Sequence, residues 1–188
     1  CFATIFTNVI VECCVFSTCK TKFFIKAKFR LFQEFVFNDR LKKLIEMFIK
    51  GTPLLFAEQI LMKPPHHGGP KPYHQDNFYF QCFPADHVTT AWIALDDATI
   101  ENGCLWVLPG SQRLGYLYPQ RNHQNFDEFD YGQESYGFDE SSETPVEVKT
   151  GTLVFFNGYL LHRARRNRSQ GFRRVLVNHY MNAWSLLP

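Results

Sequence analysis

Helical periodicity stops at Gly51 and does not return before the end of the chain, which confines most of this sequence to β structure. From Leu54 onward, short apolar stretches alternate with Gly, Pro, Asn and Asp. Leu54–Met62, His74–Phe80, Val88–Leu95, Cys104–Leu108, Val146–Val148, Thr152–Phe156, a stretch opening at Tyr159 and Arg173–Met181 read as strands. Lys63-Pro64-Pro65, the loop His66-His67-Gly68-Gly69-Pro70, Pro84-Ala85-Asp86, Pro109-Gly110 and Asn157-Gly158 read as turns. Many short strands at modest spacing predict a mainly β sandwich or jelly roll. One flanking helix is expected from Asn38 to Lys50. Asn38 or Asp39 caps it, Leu41, Leu44, Ile45, Phe48 and Ile49 form one apolar face, and Gly51 supplies the residue after the cap. The 188 residues suffice for one domain with a real core, and the 20 Phe suit β-rich packing.

The N-terminal stretch is less informative. Residues 1–19 are apolar, but Asn8 and Glu12 interrupt them, and their Thr, Val and Ile favour strand over a spanning helix. Residues 1–27 are left unassigned, and the domain is expected over 28–188. A first residue of Cys rather than Met leads us to expect a start inside a longer protein. Cys1, Cys13, Cys14 and Cys19 crowd the beginning, whereas Cys82 and Cys104 lie in the body. That is not the spacing of a secreted disulfide framework, so reduced thiols inside a cell, in the cytoplasm, are expected. The Cys13-Cys14 and Cys19 group lacks a paired Cys-x-x-Cys and is read as incidental thiols rather than a metal site. Ser185-Leu186-Leu187-Pro188 is not a peroxisomal ending. A net charge of +2 points to neither a nucleic-acid partner nor a membrane surface. Nothing here sets an oligomeric state. Residues 113–145 carry seven acids against two Arg without periodicity, which suits either a lid over a substrate or a solvated insertion.

Chemistry concentrates in Pro72–Phe80. If this run is a strand, His74 and Asp76 share one face and Gln75 turns the other way. An imidazole beside a carboxylate is two thirds of a facial iron site, and His162 is the candidate third ligand. His66 and His67 are expected to face solvent near the site's mouth, and His87 and His123 to sit in loops. By alternation His179 shares a face with Arg173, either as a group behind the ligands or as a satisfied strand histidine. Arg163, Arg165, Arg166 and Arg168 form a basic loop that would either grip a phosphorylated or CoA-bearing substrate or simply be solvated.

Several motifs fall in a telling order. They are Lys63-Pro64-Pro65, Tyr73-His74-Gln75-Asp76, Ala91-Trp92-Ile93-Ala94-Leu95, Glu101-Asn102-Gly103-Cys104-Leu105 and Leu108-Pro109-Gly110-Ser111, then His162 and Gln170-Gly171-Phe172-Arg173. Over roughly residues 28–181 the chain resembles the phytanoyl-CoA dioxygenase family of iron(II)- and 2-oxoglutarate-dependent oxygenases. The resemblance implies a double-stranded β-helix, with His74, Asp76 and His162 holding iron and Arg173 binding the far carboxylate of 2-oxoglutarate. It implies O2 as co-substrate and a small-molecule substrate, with fatty acyl-CoA among the candidates. The guanidinium fork suits that carboxylate, and the eleven positions from His162 to Arg173 allow a strand to turn and return antiparallel. Arg174 would point to the opposite face. Trp92 matches a position that packs on the co-substrate, and equally reads as a core Trp.

The chain departs from the family pattern at Ala164, where a Ser is frequent, and at Gln59, where the phytanoyl-CoA enzyme has Met. Asp76 argues for hydroxylation, because Ala or Gly there would suit a halogenase. The rival readings are a metal-binding jelly roll without oxygenase activity, a zinc hydrolase on the same ligands, and an inactive fragment of the family.

Overall fold

The computed structural model describes residues 19–21, 30–123 and 133–188. The expectations for residues 1–18 and 22–29, the Cys13-Cys14 pair among them, lie outside the described residues. Strands are β1 (Cys19–Thr21), β2 (Pro53–Lys63), β3 (Lys71–His74), β4 (Val88–Ala94), β5 (Leu105–Val107) and β6 (Gln120–Asn122). Then follow β7 (Gln133–Ser135), β8 (Thr144–Val146), β9 (Leu153–Asn157), β10 (His162–Ala164) and β11 (Arg173–Asn182). Helices are α1 (Arg30–Val36), α2 (Asp39–Ile49) and α3 (Asp76–Phe80). A five-stranded sheet runs β1-β2-β11-β4-β9, a four-stranded sheet β3-β10-β5-β8, and β6 pairs with β7. This is the mainly β, double-stranded β-helix expected. Among the described residues no helix is long and apolar enough to cross a membrane.

Alternation along β11 divides the core in two. Leu176 and Tyr180 join Ala91 and Ile93 of β4 on the outer face, where Phe32, Val36, Leu41, Ile45 and Ile49 of the two helices cover them. Val175 and Val177 point inward with Trp92 and Ala94, against Leu105 of the smaller sheet and Cys104 and Leu160 beside it. The inner face is therefore where two sheets meet, and where polar side chains can be buried together.

The flanking helix is present, with three corrections. A second helix, α1, precedes it, unsignalled because its seven residues give little periodicity. Leu44 and Phe48 are half exposed rather than part of the buried stripe, although Phe48 stacks on Phe155 at 5.2 Å. Lys50 itself takes the left-handed conformation, φ 52°, so Gly51 is not required by backbone angle. Packing favours glycine here instead: a Cβ at residue 51 would run into the Asn182 side chain, which would have to move.

Asn38 Oδ1 accepts from the backbone N–H groups of Arg40 (3.0 Å) and Leu41 (3.4 Å), two donors the helix start leaves unpaired. Asn38→Ala is expected to cost about 1 kcal/mol. Urea unfolding should show a lower midpoint at unchanged slope; an unchanged midpoint would show that the cap contributes nothing.

Candidate metal centre

β3 and β10 run antiparallel with His74 directly opposite His162. Each ring is oriented from behind by its own strand. His74 Nδ1 donates to Pro72 O and His162 Nδ1 to Leu160 O, both at 2.9 Å. In the neutral ring this places the hydrogen on Nδ1 and the lone pair on Nε2. The ring centroids are 4.1 Å apart.

Asp76 arrives by a route the sequence did not disclose. The strand expected over His74–Phe80 ends at His74; Gln75 is extended and Asp76 opens α3. The extended Gln75 preserves the same-side relation of residues 74 and 76, so the two ligands meet as expected for a different reason. The aromatic run turns helical because one tertiary and one local bond of Asn77 outweigh strand propensity. Asn77 N donates to Gly158 O (3.0 Å), and Asn77 Oδ1 accepts from Cys82 N (3.0 Å). A Cβ on Gly158 would meet Asn77 Cβ at 2.9 Å, so glycine lets the β9–β10 turn abut the start of α3.

Asp76 Oδ1 is 3.7 Å from His74 Nε2 and 3.6 Å from His162 Nε2. One ligand atom from each of these three buried residues lies within 4.8 Å of the others, so together they could hold one metal ion. Burial, with His162 and Lys71 adding to it, pushes the His74 pKa well below the usual imidazole value, which leaves Nε2 unprotonated at neutral pH. Burial alone would raise the Asp76 pKa, but His162, His179, His74 and the Thr90 hydroxyl outweigh it and hold the carboxylate below its ordinary value.

Arg173 and Trp92 share the inner face. Arg173 is buried, makes no ion pair among the described residues, and has an Nε without a hydrogen-bond partner. Burial lowers its pKa to about 10, so it stays charged at neutral pH. Its guanidinium carbon is 6.0 Å from the Trp92 ring centre. Arg174 turns outward onto Asp96, with Nη2 to Oδ1 at 2.7 Å, as alternation predicts. A buried cation lacking an anion is costly, and it fits a ligand that brings a carboxylate. Near His162 the wall is Phe156, its ring centre 4.8 Å away.

The other expectations divide. His66 bonds Gln170 at an exposed position, and His87 packs on Trp184; neither joins the triad. His123 lies in a loop, as expected, and is buried there. Arg163 and Arg165 are committed to Glu143, with contacts of 2.6 Å and 2.8 Å, so the basic loop does not offer four arginines for a phosphate. His179 lies behind the ligands, linked to Asp76 through Thr90. Sequence reasoning passed over Thr90, which on an apolar strand looks like any β-branched residue, and Gln75. The Gln75 amide donates to Tyr159 O (2.7 Å) and Tyr116 O (3.1 Å), and its Oε1 accepts from Tyr118 N (2.7 Å).

A double-stranded β-helix with a buried His-Asp-His face defines a class of metal-binding jelly rolls. Within it the chain belongs to the phytanoyl-CoA dioxygenase family, whose profile matches residues 20–175. It is 32% identical over 152 residues to phytanoyl-CoA dioxygenase 1 of Oryza sativa subsp. japonica, covering 81% of this chain and 53% of the relative. It is 36% identical over 142 residues to a probable phytanoyl-CoA dioxygenase of Caenorhabditis elegans, covering 71% and 44%. The chain thus spans about half the length of the curated relatives it matches. Among solved structures, EvdO2 from Micromonospora carbonacea var. aurantiaca complexed with 2-oxoglutarate superposes with TM-score 0.68 at 25% identity, over 85% of this chain and 66% of that one. The apo non-heme monooxygenase ThoJ shares the fold with TM-score 0.71 at 20% identity, over 82% and 56%.

His74→Ala, Asp76→Ala and His162→Ala are each expected to abolish iron(II) binding without unfolding the protein, since the core does not use these side chains. Equilibrium dialysis measures this. A folded variant that retains iron like the parent would remove that residue from the ligand set.

Proposed function

We propose that this chain is the catalytic region of an iron(II)- and 2-oxoglutarate-dependent dioxygenase that hydroxylates an aliphatic C–H bond of a small molecule. The observation that carries the reading is a buried His74-Asp76-His162 face together with a buried cation, Arg173, that makes no ion pair among the described residues. An iron-only or zinc-hydrolytic site would give that cation nothing to do. The names of the relatives favour an acyl-CoA substrate within this class. We take residues 28–188 as the domain and an intracellular, cytoplasmic setting as part of the proposal, consistent with the buried free thiols of Cys82 and Cys104.

Iron(II), when bound, supplies the O2 chemistry that no side chain can perform. The protein's part is geometric and electrostatic. His74, Asp76 and His162 would hold the ion through two imidazole nitrogens and one carboxylate oxygen from one side, and the other side would be open to the 2-oxo acid and O2. Arg173 pairs with the far carboxylate of 2-oxoglutarate and so fixes which end reaches the metal. Trp92 and Phe156 give that wall an apolar surface that excludes water. The net change is 2-oxoglutarate, O2 and R–H going to succinate, CO2 and R–OH: one oxygen atom enters each organic product.

Succinate release from iron-loaded protein, screened over acyl-CoA thioesters and other small aliphatic molecules, tests the reading. Succinate should appear in step with hydroxylated product and only when 2-oxoglutarate is supplied. Iron-loaded protein that never consumes 2-oxoglutarate would overturn it.

Calorimetric titration of 2-oxoglutarate into anaerobic iron-loaded protein should show Arg173→Ala weakening binding by about 2–5 kcal/mol, because a buried charge loses its partner. Arg174→Ala, whose pair with Asp96 is part-exposed, should change it by less than about 1 kcal/mol. Equal losses would refute the inward-outward register of β11.

Ala164→Ser addresses the position where the family resemblance leads us to expect a hydroxyl. If residue 164 borders the co-substrate carboxylate, the added donor should tighten 2-oxoglutarate by about 1 kcal/mol, several-fold, with iron affinity unchanged. No gain in the same titration would show that residue 164 faces elsewhere or that a water already fills the role.

A further inference from the structure

Behind Asp76 lies a line of buried polar groups that a ligand list does not include. Thr90 on β4 stands opposite His179 on β11, and both side chains are buried. Thr90 Oγ1 is 2.7 Å from Asp76 Oδ2 and 3.0 Å from His179 Nδ1. A hydroxyl has one hydrogen, and an ionised carboxylate can only accept. The Thr90 hydrogen therefore points at Asp76 Oδ2, and His179 Nδ1 must bring its own hydrogen to Thr90 Oγ1. The direction of the line is fixed: His179 donates to Thr90, and Thr90 donates to Asp76. The His179 ring is held edge-on by Phe80, 4.7 Å between centroids, with Phe56 at 6.2 Å.

The two oxygens of Asp76 thereby face different partners. Oδ2 is engaged by Thr90, while Oδ1 is the one turned to His74 Nε2 and His162 Nε2. We infer that Thr90, aligned by His179, is a positioning residue that restricts Asp76 to one-oxygen ligation of the metal. The inference rests on the metal-centre reading proposed above and adds a requirement to it. A carboxylate bound through both oxygens would take two of six octahedral positions and the imidazoles two more. 2-Oxoglutarate would fill the remaining pair, and no position would be left for O2. Holding Oδ2 away from the metal keeps the sixth position open.

Thr90→Val keeps volume and β-branching but deletes the donor; Thr90→Ser restores it. Nitric oxide serves as the O2 surrogate. It is titrated into anaerobic protein loaded with iron(II) and saturated with 2-oxoglutarate, and its binding is followed by electron paramagnetic resonance. Thr90→Val should bind nitric oxide about tenfold or more weakly, the size of losing a hydrogen bond to a charged group, while Thr90→Ser matches the parent. 2-Oxoglutarate affinity should stay within about threefold in all, because the positions it fills remain available. His179→Leu removes the group that aligns Thr90 and should weaken nitric oxide binding. His179→Asn, whose amide N–H replaces Nδ1–H, should recover it.

Folded, iron-loaded Thr90→Val that takes up nitric oxide like the parent overturns the inference. If Thr90→Val does not fold, His179→Leu decides in the same way. A parent protein that binds neither iron(II) nor 2-oxoglutarate overturns the metal-centre reading itself, and this inference with it.

Discussion

The antiparallel pairing of β3 with β10 is the contact on which the site depends, because its register sets His74 opposite His162. A slip of one residue would turn one imidazole to the wrong face of the sheet. The register is reinforced from both sides. β10 also pairs with β5, with Val107 opposite His162, and the turn before β10 is seated against Asn77 through Gly158. That seating brings α3, and with it Asp76, to the edge where the two histidines meet. The larger sheet supplies the opposite wall: Thr90, Trp92, Arg173 and His179 all project from the face that turns inward. Neither sheet alone carries the full set.

Much of this was legible in the sequence. The loss of helical period after Gly51 and the spacing of short apolar runs indicated the β fold, and alternation separated Arg173 from Arg174. His74, Asp76 and His162 were legible as ligand types, and the structure brings them together. The path to Asp76 was not legible, because Phe78, Tyr79 and Phe80 have strand propensity. What bends them into α3 is a local bond from Cys82 back to Asn77 and one from Asn77 to Gly158, a partner whose proximity exists only in the folded chain. Thr90 was hidden for the opposite reason. It sits where a β-branched residue is expected anyway, and its hydroxyl gains meaning only from two groups distant in sequence.

The acidic insertion shows a similar limit. Its composition left lid and solvated segment equally open. The described parts are tied to the strands that carry the ligands: Gln75, next to His74, holds the backbone at Tyr116 and Tyr118, and Arg163, next to His162, holds Glu143. Arg163 and Arg165 also lie over the Tyr73 and Trp106 rings, at 4.6 Å and 3.7 Å. Glu143 is thus a structural anchor rather than part of a solvated acidic run. Both described ends of the insertion are anchored beside two of the ligands.

The central claim is that one face of three ligands and one buried guanidinium are matched to a single 2-oxo diacid. The visible spectrum of anaerobic protein with one equivalent of iron(II) tests this most directly, because an α-keto acid chelating iron(II) gives a charge-transfer band. The account predicts that 2-oxoglutarate raises this band and saturates it at one equivalent. Iron-loaded protein whose spectrum is unchanged by excess 2-oxoglutarate would contradict it.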